Sequence, residues 1–433
     1  MRLLLIAYEF PPSPSPQSLR WTYLARELHL LGHEVHVLTA DLGGETPGLP
    51  RLPDDVRIHR TYPGPVRGLM SWLRKRRQRK IEAGLVDAAQ VAADQPSLAA
   101  AIRPPRNWKQ RVSEAIQATA QFIHYPDIRG EWRPWGARGL DRVLDAIAPD
   151  AVISSHEPAT TIELALRARR RGLPWVADIG DPVLASYTPP RWRARAVRIE
   201  SAMCREAALL TVTTEATAAL MRTRHARNAD VLVLPQGHDP RRTPAPTDGV
   251  FDAARLELLY TGSFYSFRRP DALLAGLLRV PNVRLTIAAI TVPEAVLEAA
   301  RAAPDRIRLL GFRPHDAILD LQRAAHVLVN ISNDDMTQIP GKVNEYFGAC
   351  RPVLNLGPGD DVVSGEIDRL RRGWNCRNTP DAIVECLAGL RDAHAGGALD
   401  ARVDLSAERV AHIGWPSIAA RLDSALRSRL NSR

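Results

Sequence analysis

The sequence has few cysteines, few lysines and no long hydrophobic run, and each shortage excludes a class of protein. Its four cysteines form no CxxC pair and show no metal-like spacing, which is typical of free thiols in a reducing compartment. The apolar start MRLLLIAY is interrupted by Glu9 and Pro11 and is too short for a signal peptide. No stretch approaches the roughly 20 apolar residues of a membrane span. We therefore expect a soluble, cytoplasmic protein, either free or peripheral on the inner face of the plasma membrane.

Lysine is rare although the chain is basic. Lys and Arg together number 58 against 48 acidic residues, and only four of the 58 are lysines. The excess of positive charge leaves nucleic acid, an anionic membrane and a phosphorylated substrate open as partners, beside a general arginine bias. The arginines are scattered and no base-stacking motif accompanies them, so we do not expect nucleic acid as a partner. In such a chain, Lys342 directly after a Pro-Gly pair is noticeable.

Strand and helix patterns alternate along most of the 433 residues, which is typical of doubly wound parallel sheets. The pattern predicts an α/β protein with two Rossmann-like domains, at 1–238 and 239–412, and a helix at 413–433 that crosses back to the first domain. A basic insertion occupies about 64–137, and PRRTPAPTDGV at 240–250 is the best linker candidate. Ligands of such sheets bind beyond the carboxyl ends of the strands, so two facing domains enclose a cleft.

The segment IPGKVNEYFGACRPVLNL, residues 339 to 356, carries a glycine, a cation and an acid at the start of a short predicted helix. A helix N-terminus has free amides and partial positive charge and therefore binds phosphate. Gly341 allows close backbone approach, Lys342 adds a point charge, and Glu345 lies one turn later, where it can bind the hydroxyls of a ribose. The segment predicts a nucleoside diphosphate site, or else a structural Pro-Gly turn with a solvent-facing Glu.

Five segments, in the same order, resemble retaining glycosyltransferases of family 4. QIPGKVNEYFGACRPVL is similar to the family's nucleotide-binding segment in the branch with a P-G-K-x-x-E-Y core. Four further segments are similar to its first strand-loop-helix, its D-x-x-D-P strand end, its linker entry and the start of its nucleotide-binding domain: FPPSPSPQSLRWTYLARELHLLGHEVHVLTA, GLPWVADIGDP, VLVLPQGHD and LLYTGSFYSFRRPDALLAGL. The resemblance covers nearly the whole chain except residues 64 to 120. It implies the two-domain GT-B fold and sugar transfer from a nucleotide donor with retention, usually without a metal.

The resemblance also implies roles for single residues. Glu345 is expected at the donor ribose, and Arg268 at the leaving diphosphate with Arg269 close behind. An acid that many members carry seven residues earlier is absent, since the position is Thr337. The donor-binding set is Gly262, Arg269, Pro340, Gly341, Val343 and Glu345, and the catalytic set is His156, Arg268 and Lys342.

The first domain is expected to hold the acceptor. His156, in the strand-end segment SSHEP, is a candidate for orienting or deprotonating an acceptor hydroxyl, although a lone His is more often structural. Many family members have Gly-Gly where this chain has Pro16-Gln17, which implies a more rigid loop here. The acceptor or cleft set is Pro16, Gln17, Arg20, Asp178 and Asp181; for Arg20 a helix-surface position and for Asp181 a simple turn are the alternatives.

The segment RGLMSWLRKRRQRK, residues 67 to 80, combines Leu69, Trp72 and Leu73 at helical spacing with a basic end. This composition suits an anionic membrane surface, or a solvated basic helix face. Together these features predict a retaining, nucleotide-sugar-dependent hexosyltransferase without cofactor or metal. It would act on a glycan or lipid-linked acceptor, in bacterial cell-surface polysaccharide or glycolipid synthesis. The alternatives are a basic nucleic-acid-binding protein and a GT-B-like epimerase or phosphorylase.

Overall fold

The chain folds into two compact units. The computed structural model describes residues 1–82, 129–185, 188–226, 231–243, 245, 247, 249–264, 268–332 and 339–430. Within these residues the first unit holds 1–82, 129–236 and 415–430, and the second unit holds 237–414. The middle of the basic insertion, residues 83–128, and Thr337 lie outside the described residues.

The first unit is built on a seven-stranded parallel sheet in the order β3-β2-β1-β4-β5-β6-β7. Its inner strands β1, β4, β5 and β6 are buried on both faces, which is typical of a parallel sheet covered by helices on each side, whereas the edge strand β3 is polar. They are β1 (Arg2–Ala7), β2 (Glu34–Ala40), β3 (Arg57–Thr61), β4 (Ala151–His156), β5 (Trp175–Ile179), β6 (Leu209–Val212) and β7 (Val231–Val233).

Helices cover both faces of this sheet. They are α1 (Pro16–Leu30), α2 (Pro65–Glu82), α3 (Arg133–Ile147), α4 (Thr160–Arg170), α5 (Pro190–Glu206), α6 (Glu215–His225) and, at the other end of the chain, α13 (Trp415–Leu430). Side chains of α1 and α13 share one core with the sheet, whereas α3 to α6 contribute to the core on the opposite face. Trp415 of α13 stacks on Tyr23 of α1 with ring centroids 5.4 Å apart. The C-terminal helix is therefore part of the first unit.

The second unit repeats the plan with six parallel strands in the order β10-β9-β8-β11-β12-β13. The strands are β8 (Leu256–Thr261), β9 (Val283–Ala288), β10 (Ile307–Leu309), β11 (Val327–Ile331), β12 (Val353–Gly357) and β13 (Gly373–Arg377). The helices are α7 (Asp271–Arg279), α8 (Glu294–Ala302), α9 (His315–Ala324), α10 (Gly341–Gly348), α11 (Val362–Leu370) and α12 (Pro380–Ala395). Both sheets thus have the doubly wound strand order that reverses beside the first strand.

Strand β13 has a polar sequence, GWNCR, and the apolar pattern alone did not predict it. Its Asn375 lies in register with Asn355 of β12, which is in turn opposite Asn330 of β11. The amide of Asn330 donates to Asn355 at 2.7 Å, and that of Asn355 reaches Asn375 at 3.4 Å. This polar ladder gives Asn330 and Asn355 an amide partner on the next strand, while the Oδ1 atom of Asn330 has no partner among the described residues.

The predicted α/β fold with two parallel-sheet domains is confirmed. The position of the linker differs from the predicted one. Residues 240–250 belong to the second unit, and the chain passes from the first unit to the second at Gln236–Gly237. Arg242, within that stretch, forms a bidentate ion pair with Asp320 of α9 at 2.5 and 2.6 Å. A Pro-rich composition marked irregular backbone there, but the charge pair ties the segment to a helix.

Candidate active site

The predicted nucleotide segment forms α10, which begins at Gly341 directly after Pro340. Pro340 and Val343 are buried, and the amide of Val343 donates to the Pro340 carbonyl at 2.9 Å. This contact fixes the first turn of the helix. The remaining amides of that turn have no partner within the helix and carry its positive end.

Lys342 reaches from α10 to the carboxyl end of β8. Its Nζ lies 3.7 Å from the ring centroid of Tyr260 and donates to the Thr261 carbonyl at 3.2 Å. Gly262 follows at a φ of 92°, a conformation that favours glycine. Burial lowers the pKa of Lys342 well below its usual value, and the positive charge of Arg268 lowers it further. Two cations therefore lie near the start of one helix, an arrangement that an anion would stabilise.

The two neighbouring arginines after β8 differ in burial. Arg268 is 8% exposed and close enough to Lys342 to lower its pKa, whereas Arg269 is exposed. The structure thus brings Arg268, Lys342 and Gly341 together and leaves Arg269 at the surface. Whether either arginine meets a diphosphate stays a prediction.

Glu345 lies one turn further along α10 in a largely buried position. Burial raises the pKa of its carboxyl group, while His315 and a hydrogen bond from Gln322 act in the opposite direction. The Nε2 atom of His315 is 3.7 Å from the nearest Glu345 oxygen and has no hydrogen-bond partner among the described residues. With Gln322 as its hydrogen-bond donor and His315 at 3.7 Å, the Glu345 carboxylate keeps capacity to accept further hydrogen bonds from hydroxyl groups.

A buried polar network holds Glu345 and Lys342 in position. The hydroxyl of Tyr346 accepts the Thr261 amide at 2.9 Å and lies 2.9 Å from the Thr261 hydroxyl. Gln322 of α9 donates to the Thr261 hydroxyl at 3.4 Å and also to Glu345. Sequence reasoning missed Gln322, His315 and Tyr260, because nothing in their local sequence indicates that three elements converge there.

In the first unit, His156 ends β4 and is 4% exposed. Its Nδ1 atom has no hydrogen-bond partner within the described chain. Gln17, the second residue of α1, donates its amide to the His156 carbonyl, and its own Oε1 atom is buried without a partner there. The structure therefore brings these two candidates together and leaves a buried donor or acceptor on each.

Arg20 and Asp178 form a fully buried ion pair, with both side chains 0% exposed. The guanidinium donates to both carboxylate oxygens, at 3.0 and 2.8 Å, and to the carbonyls of Leu234 and Pro235. Trp21 and Thr211 complete the carboxylate shell at 2.9 and 2.6 Å. This placement differs from the acceptor contact, and from the helix-surface position, considered for Arg20. The buried carboxylate at the end of β5 needs a counter-charge, so the pair positions α1 on the sheet.

The two remaining acceptor candidates lie nearer the surface. Pro16 is exposed at the first position of α1, behind the cap in which Ser15 accepts the Ser18 amide at 3.1 Å. Asp181 is partly exposed just beyond β5. In the described parts of the chain, no group of three or more His, Cys, Asp or Glu side chains is placed to hold a metal ion.

Solved structures with the same fold extend over the whole chain. Sucrose-phosphate synthase from Thermosynechococcus elongatus aligns over 100% of both chains, with 14% identity and a TM-score of 0.69. HepE from Anabaena, solved in complex with UDP and glucose, aligns over 99% of this chain and 100% of its own, with 12% identity and a TM-score of 0.61. A putative UDP-N-acetylglucosamine 2-epimerase from Listeria monocytogenes aligns over 100% and 97%, with 14% identity and a TM-score of 0.54. At these identities the likeness defines the fold, GT-B.

The family follows from the sequence itself. The family described as "Glycosyl transferase 4-like domain" matches residues 17–237, more than half of the chain. The chain belongs to this family and is a glycosyltransferase. No curated protein matches it significantly.

Proposed function

We propose that the chain is a retaining hexosyltransferase that uses a nucleotide-sugar donor and a glycan or lipid-linked acceptor, in the synthesis of cell-surface polysaccharide or glycolipid. The observation that carries the proposal is the placement of Lys342 beside Arg268 at the start of α10. Two partly desolvated cations at a helix N-terminus form a site for a diphosphate. Structural neighbours solved with UDP support a nucleotide donor.

In this proposal the donor lies along α10. The diphosphate meets the amides at Gly341 and the charges of Lys342 and Arg268. The ribose hydroxyls donate to Glu345, which is one turn further along the helix. Gly262 leaves space beside the Lys342 side chain, since a Cβ there would lie 3.8 Å from Lys342 Cδ. The same site is shaped by the backbone of three further residues, Arg269, Pro340 and Val343.

The chemistry asked of these residues is electrostatic. As the bond from the sugar to the diphosphate breaks, negative charge grows on the leaving oxygen. Donors and cations that are already in place stabilise this charge more in the transition state than in the ground state. His156 is proposed to orient the acceptor hydroxyl through its unpartnered nitrogen, while Gln17 holds the backbone of the same strand end.

Helix α2 is proposed to bring the enzyme to an anionic membrane surface. Three of its apolar side chains are more than half exposed: Leu69 at 59%, Trp72 at 53% and Leu73 at 51%. Arg76 lies over the Trp72 ring at 5.3 Å, and Arg74 and Lys75 are exposed on the same helix. Apolar side chains flanked by cations are typical of interfacial helices. None of the helices within the described ranges is long and apolar enough to cross a membrane.

The membrane proposal is tested by sedimentation with vesicles. Wild type should bind vesicles that contain anionic lipid, and binding should weaken with salt. Trp72→Ser with Leu73→Ser should abolish it, whereas Ile290→Ser, equally exposed in the second unit at 53%, should not. Unchanged sedimentation of the double variant would show that another surface binds the membrane.

An epimerase is the second candidate function, because an epimerase shares the fold. The two reactions are separated by a single assay with a labelled nucleotide sugar. An epimerase interconverts free nucleotide sugars, whereas the proposed transferase releases nucleoside diphosphate only when an acceptor is present.

The proposal itself is tested by a thermal-shift screen of UDP-, GDP-, ADP- and dTDP-sugars. A ligand that binds only the folded protein raises its stability by mass action. We expect one nucleotide class to raise the melting temperature of wild type and not that of Lys342→Ala, with Arg269→Ala behaving as wild type. If no nucleotide sugar stabilises the chain, the proposed donor class is wrong.

A further inference from the structure

A recess of about 360 Å³ opens in the first unit beside helix α2. Its walls are the 41–45 turn after β2, Arg60 near the end of β3, and Lys75, Gln78 and Arg79 of α2. It therefore lies at the carboxyl ends of parallel strands, where open α/β sheets bind ligands. Its size falls within the range of small-molecule sites, about 300–1,000 Å³.

The walls of the recess are packed against each other. A Cβ added at Gly43 would lie 2.7 Å from the Ser71 carbonyl of α2, so the turn and the helix are in direct contact. Lys75 of the helix forms an ion pair with Asp41 of the turn, and Arg74 donates to the Leu42 carbonyl at 3.1 Å. The polar groups that face the recess are thus held by contacts from two elements.

Positive charge in the recess is only partly balanced. Arg60 is exposed to solvent and donates to the Pro11 carbonyl at 2.8 Å, but it has no carboxylate at ion-pair distance among the described residues. Arg79 adds a further cation to the lining. An accessible guanidinium without a carboxylate partner suits a phosphate.

The recess also offers groups that accept hydrogen bonds from hydroxyls. Asp41, Glu45 and the amide of Gln78 line it together with the cations. Gly43 and Gly44 have φ values of 63° and 82°, which favour glycine and let the turn pack closely against α2. Carboxylate and amide oxygens suit sugar hydroxyls, and the guanidinium suits a phosphate. The combination fits one class of ligand, a sugar that carries a phosphate.

We propose that this recess, formed by the 41–45 turn, Arg60 and α2, binds the phosphate-bearing sugar end of the acceptor. The inference rests on the proposed glycosyltransferase function and names its acceptor class. A soluble sugar phosphate and the headgroup of a phosphate-linked glycolipid present the same chemistry. The exposed apolar side chains of α2 lie on the helix that forms one wall, so a lipid chain attached to the phosphate has an apolar surface nearby.

The test is calorimetric binding to the full chain without donor. The probes are glucose 1-phosphate in solution and a hexadecyl phosphoglucose in neutral phosphatidylcholine vesicles. The variants are Arg60→Gln and Arg79→Gln, with Arg57→Gln as control, because Arg57 is exposed at the opposite end of the same strand. We expect at least one probe to bind wild type and to bind Arg60→Gln about tenfold more weakly. Arg79→Gln should show a smaller loss, and Arg57→Gln none.

The two probes identify the source of the phosphate. Similar affinity for both indicates that the sugar phosphate alone is recognised, and a strong preference for the vesicle probe indicates a lipid-linked acceptor. The inference is overturned if neither probe binds wild type, or if Arg60→Gln and Arg57→Gln behave alike. The nucleoside diphosphate identified by the thermal-shift screen is titrated in parallel and should bind all four proteins equally. If none of the screened nucleotides binds wild type, the donor site is refuted, whatever the result for the recess.

Discussion

Each unit contains a buried arginine, and the two arginines have different surroundings. Arg20 of the first unit is 0% exposed and faces the Asp178 carboxylate at 2.8 Å. Arg268 of the second unit is 8% exposed and lies near Lys342, another cation. A guanidinium matched to a carboxylate inside the protein holds the fold together. Cations that crowd each other at a helix N-terminus cost stability, and the cost is recovered when an anion binds.

The comparison predicts that the two sites respond oppositely to mutation. Removal of a charge from the first site should harm folding and leave the donor site intact. Removal of a charge from the second should leave folding intact and harm function.

The largest effect is expected at Arg20. Arg20→Met leaves the buried Asp178 carboxylate without its cation and should lower the free energy of unfolding by about 3–5 kcal/mol. The control is Arg167→Met, since Arg167 pairs with Asp141 at an exposed position and its loss should change stability little. Denaturant unfolding and calorimetry each measure the stability of the two variants. Equal, small losses would contradict a structural role for the Arg20 pair.

The next effect concerns turnover. Loss of one preorganised charge at the leaving group costs on the order of 3 kcal/mol, or about a hundredfold in kcat. Lys342→Ala and Arg268→Ala should therefore lower kcat strongly while their melting temperatures stay at or above that of wild type. Arg269→Ala should be mild, because its side chain is exposed. If Arg269→Ala is the impaired variant, the assignment after β8 is off by one residue.

A smaller effect is expected at Glu345. Burial raises its pKa, so between the unfolded and the raised value the folded state binds more protons and stability falls as pH rises. Glu345→Gln removes this cost and should raise the melting temperature at neutral pH. It should also weaken donor binding by about tenfold, because the ribose loses charge-assisted hydrogen bonds. Glu298→Gln, at an exposed position, should change neither; a Glu345→Gln variant with unchanged affinity would exclude Glu345 from the ribose site.

The smallest effect is a change in proton binding. Burial and Arg268 lower the pKa of Lys342 in the free protein, and a bound diphosphate should raise it again. Between these two values the binding of nucleotide takes up a proton, and affinity falls as pH rises, by up to about tenfold per pH unit. Calorimetry in buffers of different ionisation enthalpy measures the uptake. Lys342→Met should abolish it, and uptake that persists in Lys342→Met would assign the proton to another group.

The architecture could be predicted from the sequence because each strand and helix is indicated by the pattern of its own residues. Strands such as β2 and β8 are short, largely buried segments rich in Val and Leu, and their limits matched the pattern closely. Strand β13 was missed, since its Asn375 has its partners on strand β12 and helix α11, outside its own local pattern. The Pro-rich composition of 240–250 predicted a linker. The local sequence does not show the ion pair of Arg242 with Asp320, because the two residues are 78 positions apart.

The candidate site was predictable in part for the same reason. Gly341, Lys342 and Glu345 lie within one helix, so their mutual placement follows from helical spacing. The contacts of Lys342 with Tyr260 and Thr261 join segments about 80 residues apart and follow only from the sheet order. Arg20 and Asp178 are 158 residues apart in the sequence. The local sequence around either residue therefore did not show that the Arg20 charge is paired with a buried carboxylate.

The central claim is that Lys342 and Arg268 meet a diphosphate. A sharp test titrates the nucleoside diphosphate identified by the thermal-shift screen, and its parent nucleoside, into wild type and three variants, Lys342→Ala, Arg268→Ala and Arg269→Ala. The two ligands differ only in the diphosphate, so the ratio of their affinities isolates its contribution. Wild type and Arg269→Ala should prefer the diphosphate strongly, and this preference should fall at least tenfold in Lys342→Ala and Arg268→Ala. The same preference in all four proteins would contradict the claim.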